Sequence, residues 1–208
     1  VFIRDVRVFS ATDAGILENV DVRLEGGLIA EITPTGSGPI VGEIVEGAGR
    51  TLLPGLIDLH VHLALVAGPP WFMSLPQPEH NAQATVFAGV TTVLDVGGDP
   101  KVLTRLRRGV AEQRWVGPRI FFAGPGLPVL GAYPLNMTSE LYGALAYASV
   151  KDHHFIAVKG VADIEAQVDR VADAGGGFIK LMVASIPPAN PASPRLSEAE
   201  VVAATRRA

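Results

Sequence analysis

The rhythm of the sequence changes at residue 50, and this change restricts the folds open to the chain more than any other feature. Before it, apolar and polar residues alternate in Val6-Arg7-Val8-Phe9, Val20-Asp21-Val22-Arg23-Leu24 and Leu28-Ile29-Ala30-Glu31-Ile32, the period of two that half-buried strands require. Glu25-Gly26-Gly27 fits a hairpin turn, because glycine takes the positive φ of primed turns, and Pro34 to Pro39 reads as a loop. Residues 1–50 therefore predict a small antiparallel sheet.

After Arg50 the strands become short and continuously apolar, with longer helical stretches between them, as in a parallel sheet buried on both faces. Strands are expected at Leu52 to His62, Gly89 to Asp95, Arg119 to Ala123 and Phe178 to Val183. Helices are expected within Glu79 to Phe87, and over Pro100 to Arg114, where Val102, Leu103, Leu106 and Val110 share a face. A short helix is expected over Thr138 to Ser149, and a longer one over Asp163 to Ala174, capped by Asp163 and stopped by Gly175. Ser197-Glu198-Ala199-Glu200 is a capping box that opens a last helix. Four strand-and-helix units make about half of an eightfold (β/α) barrel, which usually takes about 250 residues. The expected class is thus α/β, with the first half of a TIM-like barrel over 51–208 and a β-sandwich segment over 1–50.

Composition excludes several function classes. With 48% apolar and 18% charged residues the chain can bury a core. Its 17 basic and 21 acidic residues form no basic stripe, so nucleic acid is not expected as a partner. No apolar run approaches the roughly 20 residues of a membrane helix, and Val1-Phe2-Ile3-Arg4-Asp5 has no signal-peptide pattern. A soluble chain with the cytoplasm as its default compartment is the expectation. Cysteine is absent, so any metal must be held by nitrogen and oxygen.

The chemistry-bearing residues lie in Gly55-Leu56-Ile57-Asp58-Leu59-His60-Val61-His62. In a regular strand Asp58, His60 and His62 point to one face and Ile57, Leu59 and Val61 to the other. Two converging imidazoles suit zinc and its neighbours. With 5 His in 208 residues, such a pair arises by chance in roughly one chain in eight, so the spacing alone decides little. Placement adds more, because active sites of βα barrels gather where strands end. Two buried, hydrogen-bonded histidines remain the alternative. Lys180 stands inside the apolar run Gly177-Phe178-Ile179-Lys180-Leu181-Met182-Val183, where an ammonium is costly without a partner or a lowered pKa. A neutral lysine could add CO2 and become a carbamate, a carboxylate-like ligand able to bridge two ions. The alternative is an edge lysine that snorkels to solvent or pairs with a carboxylate.

The segments Leu53 to His62, Ala88-Gly89-Val90-Thr91-Thr92-Val93-Leu94-Asp95, Gly117-Pro118-Arg119-Ile120-Phe121-Phe122-Ala123-Gly124-Pro125-Gly126 and Gly177-Phe178-Ile179-Lys180, in that order, resemble the amidohydrolase superfamily of metal-dependent hydrolases. The likeness is greatest to its imidazolonepropionase-like and prolidase-like (Xaa-Pro dipeptidase-type) branch. It implies that His60 and His62 ligate a divalent ion, zinc being expected, and that carboxylated Lys180 bridges it to a second. It implies that Asp58 orients a histidine from behind and that Asp95 lines the site or caps the turn after its strand. It further implies that Val1 to Gly49 belongs to a β-sandwich flanking the barrel.

The remaining ligands of the family, two histidines and a late aspartate, are expected beyond Ala208, on the other half of the barrel in the same or another chain. The 208 residues alone are accordingly expected to be inactive. The implied reaction is hydrolysis of an amide, peptide or cyclic amide C–N bond by metal-activated water, with a small-molecule amide or dipeptide as substrate and a homo-oligomer as the assembly. Loops Gly126 to Met137 and Ser185 to Arg195 are expected to shape the pocket. A deaminase or imidazolonepropionase-like course on one ion is the runner-up, and a non-catalytic binding or scaffold half is the opposing reading. His153 and His154 match no ligand position and are expected at the surface or in loops, and the sequence assigns no role to His80.

Overall fold

A computed structural model describes residues 1–12, 15–40, 42–65, 76–136, 138, 140, 144, 147–148, 151–183 and 194–208. These form two compact units, Val1–Gly55 and Leu56–Ala208.

The first unit is a four-stranded sheet of β1 (Phe2–Phe9), β2 (Ile16–Glu25), β3 (Leu28–Pro34) and β4 (Ile44–Leu52), in the order β3-β2-β1-β4. Glu25 pairs with Leu28 across Gly26 and Gly27, whose φ values of 58° and 79° are those of a type I′ turn. The expectation of an antiparallel sheet is corrected: β1–β2 and β2–β3 are antiparallel, but β4 lies along β1 in parallel. Alternating hydrophobicity reports which face of a strand is buried and carries no information about the direction of its neighbour. Val6, Val8 and Val22 form the core of this unit. The buried Asp21 accepts hydrogen bonds from the amides of Asp5 and Gly36, at 2.8 and 2.9 Å. Burial pushes this carboxyl up, but those bonds, the Thr35 hydroxyl and the Arg4 charge hold it below its ordinary value.

In the second unit β5 (Leu56–Val61), β6 (Val90–Asp95) and β7 (Arg119–Phe122) form a parallel sheet in that order. Helices α1 (Pro78–Phe87) and α2 (Pro100–Ala111) connect the strands. Asp99 caps α2 through Lys101 N at 2.8 Å, and Pro100 occupies its first turn. Leu103 and Leu106 of α2 pack with Ala82, Val93, Ile120, Phe122 and Leu63 in one core cluster. Gly109 interrupts α2 for a steric reason, since a Cβ there would fall 1.9 Å from the Trp115 ring.

A second cluster joins Leu127, Ile156 and Val158 to α3 (Val161–Asp173) and α4 (Glu198–Arg207). In α4 the capping box forms as its sequence predicts, with Ser197 and Glu200 exchanging side-chain and backbone bonds. In α3, Gly160 is the N-cap with φ 82°, and Asp163 lies one turn inside, where its carboxylate accepts the Lys159 amide at 2.9 Å. Gly175, with φ 81°, follows the end of α3 as expected.

The fourth strand does not form as a ladder. Gly177 N donates to Phe122 O at 3.1 Å, and the next pairing is a single parallel bridge between Leu127 and Leu181. Between them, Gly124 has φ 65° and Pro125 has no N–H, so the chain after β7 turns out of register and lacks a donor. The helix expected over Thr138 to Ser149 and the loop expected over Ser185 to Arg195 fall largely outside the described residues.

Candidate metal centre

His60 and His62 stand at the C-terminal end of β5. Asp58 lies opposite Val93 and Val61 opposite Asp95, three residues of β5 against two of β6, so strict alternation is interrupted between Asp58 and the histidines. The Asp58 carboxylate accepts the His60 backbone N–H at 2.9 Å at this irregularity. Val61 and Leu63 pack into the core behind the sheet, whereas Ile57 and Leu59, expected on a buried face, are 64% and 68% exposed because β5 has β6 as its one neighbour among the described residues.

The two imidazole rings lie edge to face, with centroids 5.5 Å apart and planes at 78°. His62 Nδ1 is buried without a hydrogen-bond partner. The Gly97 N–H is committed to Asp95 Oδ1 at 3.0 Å, and the Gly97 carbonyl lies near the ring without the geometry of a hydrogen bond to it. Burial lowers the His62 pKa, the Asp95 carboxylate and the Gly97 backbone partly offset this, and the charges of His60 and Lys180 lower it further. His62 is therefore held neutral, the form in which a histidine ligates, and Lys180 is near enough for its charge to act on it.

Lys180 is half-buried, and not enclosed between sheet layers as the apolar run suggests. Its carbonyl accepts Leu127 N at 2.8 Å, and Met182 N donates to Leu127 O at 3.2 Å. Asp95 is fully buried and ties the two strand ends together: Oδ2 accepts Leu63 N at 2.7 Å and Oδ1 accepts Gly97 N. Burial pushes this carboxyl up, while the two N–H bonds oppose the rise.

Among the described residues no group of three or more His, Asp or Glu side chains is gathered for a metal. The donors present are the two imidazoles and Lys180, and an unpartnered buried ring nitrogen beside them fits a divalent ion of nitrogen and oxygen preference.

Of the other histidines, His80 is exposed on α1 and His153 is an exposed partner of Asp99 at 3.2 Å. His154 is different. It is 8% exposed, and its Nδ1 lies 2.9 Å from Gly97 O, in the turn that touches His62. Its signal in the sequence is the alternation His154, Ile156, Val158, all buried.

The arrangement can be set beside known proteins. No protein-family model matches the chain. It is 27% identical over 186 residues to adenine deaminase 2 of Rhizobium johnstonii, covering 82% of this chain and 29% of that protein. It is 41% identical over 145 residues to dihydroorotase of Mycobacterium tuberculosis, covering 69% of this chain and 30% of that one. The crystal structure of a prolidase complexed with N-methylphosphonate-L-proline superposes with a TM-score of 0.74 at 22% identity, over 99% of this chain and 52% of the other. The chain belongs to the amidohydrolase superfamily. This amidohydrolase chain spans under a third of those curated relatives and about half of that solved structure. Among its described residues no helix is long and apolar enough to cross a membrane.

Proposed function

We propose that the complete protein is a metal-dependent hydrolase of a carbon–nitrogen bond in a small molecule, with His60, His62 and carboxylated Lys180 holding divalent ions. The observation that carries this reading is the pairing of His60 and His62 at the end of β5, with a buried His62 ring nitrogen that has no hydrogen-bond partner and lies within reach of the Lys180 charge. A divalent ion, zinc by ligand type, supplies Lewis-acid polarisation of a carbonyl and a water acidified to a pKa of about 7. The protein's own part is to keep His62 neutral by burial and to present Lys180 as an amine that takes up CO2. Lys180, once it has lost its ammonium proton, would form an N–C bond to CO2 and release a second proton, and the resulting carbamate, negative where the ammonium was positive, would be able to hold two divalent ions.

Residues 51–208 are read as the first half of a (β/α) barrel, whose remaining half, in the same or another chain, supplies the other ligands. Domains 1–50 and 51–208, a homo-oligomeric assembly and a cytoplasmic location belong to the same proposal. The prolidase likeness favours amides and dipeptides with C-terminal proline. Similarity to an adenine deaminase and a dihydroorotase supports a second reading, a cyclic amide or amidine substrate, for which a single ion with Lys180 left uncarboxylated is the alternative course.

Lys180→Ala in the full-length protein tests the proposal, assayed against Xaa-Pro dipeptides, N-acyl amino acids and cyclic amides. Activity should be abolished and partly restored by added short carboxylic acids. Full activity in the variant removes the bridging role, and turnover of adenine without turnover of any dipeptide favours the second reading.

A further inference from the structure

We propose that His154 and Gly97 are positioning residues for His62, forming a buried backstop that sets the direction of its imidazole toward a metal ion. The inference rests on the reading of His62 as a ligand. Gly97 is the point of contact: a Cβ built there would lie 2.9 Å from His62 Cε1 and 3.1 Å from Nδ1, so the bare backbone of this residue abuts the edge of the ring. The turn that carries Gly97 is tied on both sides of His62. Val96 N donates to Val61 O at 3.1 Å, and Asp95 takes the N–H groups of Leu63 and Gly97.

The Gly97 carbonyl, which also acts on the His62 ring, takes a hydrogen bond from His154. A carbonyl oxygen only accepts, so the bond at 2.9 Å places a proton of His154 on Nδ1. His154 itself is held by the strand-like segment that follows it, where Gly126 N donates to His154 O at 2.9 Å and Ile156 N donates to Gly126 O at 2.9 Å. The sequence Gly126, His154, Gly97, His62 is therefore a continuous line of contacts from the chain after β7 to the ligand on β5. Groups that orient a metal-bound imidazole govern affinity nearly as strongly as the ligands do.

Gly97→Ala separates orientation from folding. The φ of Gly97 lies outside the left-handed region, so alanine fits the backbone, and its methyl meets only the far end of a side chain that can rotate. The full-length protein is freed of metal with a chelator and its zinc affinity measured by competition with a chromophoric chelator, alongside its thermal midpoint. Gly97→Ala and His154→Leu should weaken zinc about tenfold or more, while His154→Asn, whose amide N–H stands where Nδ1–H stood, should stay within about twofold of the parent.

Parental affinity in both Gly97→Ala and His154→Leu overturns the proposal, as does equal loss in His154→Asn and His154→Leu. Should His154→Leu fail to fold, Gly97→Ala alone decides. His62→Ala is the control: if it too binds zinc like the parent, the ligand assignment has failed and not the backstop. If it loses zinc while Gly97→Ala and His154→Leu both keep it, only the backstop has failed.

Discussion

On the His62 side of the candidate centre, the residues flanking the ligand on either side are bonded to the end of β6, through Val96 N to Val61 O and Leu63 N to Asp95, and Leu103, Leu106, Val93, Ile120 and Phe122 pack behind the sheet. On the Lys180 side, the segment around the lysine meets its neighbour through one parallel bridge at Leu127, and Ile179 and Leu181 reach the second core cluster only as half-buried side chains. The backbone on both sides of His62 is thus fixed to the neighbouring strand end, whereas the segment of Lys180 has fewer such ties among the described residues. On the proposed reading this suits a fixed ligand on one side and, on the other, a lysine that must first be chemically converted. Preorganisation matters most for the groups that do not change.

The largest expected effect comes from the packing behind β6. Leu103→Ala should cost about 3 kcal/mol in urea denaturation, because a fully buried leucine leaves both a lost transfer term and a cavity. Ile179→Ala, half-buried beside Lys180, should cost about 1 kcal/mol. Equal losses would break the contrast between the two sides. Next is Asp95→Ala, expected to cost about 2 kcal/mol because it strands the Leu63 and Gly97 amides inside the protein. Hydrogen exchange should show those two amides losing protection in that variant.

Ser197→Ala, which removes a helix cap remote from the centre, should cost about 1 kcal/mol. The same cap carries a pH signature. Bonds from the Ser197 hydroxyl, the Ser197 amide and the Gly160 amide hold the Glu200 carboxyl below its ordinary value of 4.5. A depressed carboxyl contributes stability that is present above that value and lost as pH falls below it, so Glu200→Gln should flatten stability between neutral pH and the acid limb. Smallest of all, Lys180→Ala should change the stability of the metal-free protein by less than about 0.5 kcal/mol. A larger loss would mean that the lysine is a structural member of its segment, and the contrast would need redrawing.

Much of this architecture is legible in the sequence wherever a local rule has no competitor. The 3.6-residue periodicity of α2, the Ser197–Glu200 box and the two-glycine turn at Gly26 each specify a conformation without help from distant residues. The H-x-H spacing likewise singles out two side chains that lie together. What escapes is set by pairing partners. The parallel placement of β4 beside β1 and the failure of Phe178 to Val183 to form a ladder depend on which backbone lies alongside, and Gly124 and Pro125 break the neighbour rather than the segment itself. The extra residue of β5 between Asp58 and Val61 is invisible to a strict period-two reading, which is why Asp58 engages the His60 backbone. His154 is missed for a related reason: its burial alternates with Ile156 and Val158 over a span too short to read as a strand.

The account stands most directly on whether the paired histidines hold metal. Bound-metal content of the purified full-length protein, measured by elemental analysis for the parent, His60→Ala and His62→Ala, addresses this without knowledge of the substrate. A parent that retains divalent ions and two variants depleted of them is the expected result. Unchanged metal in both variants would contradict the central claim and return His60 and His62 to the status of ordinary strand residues.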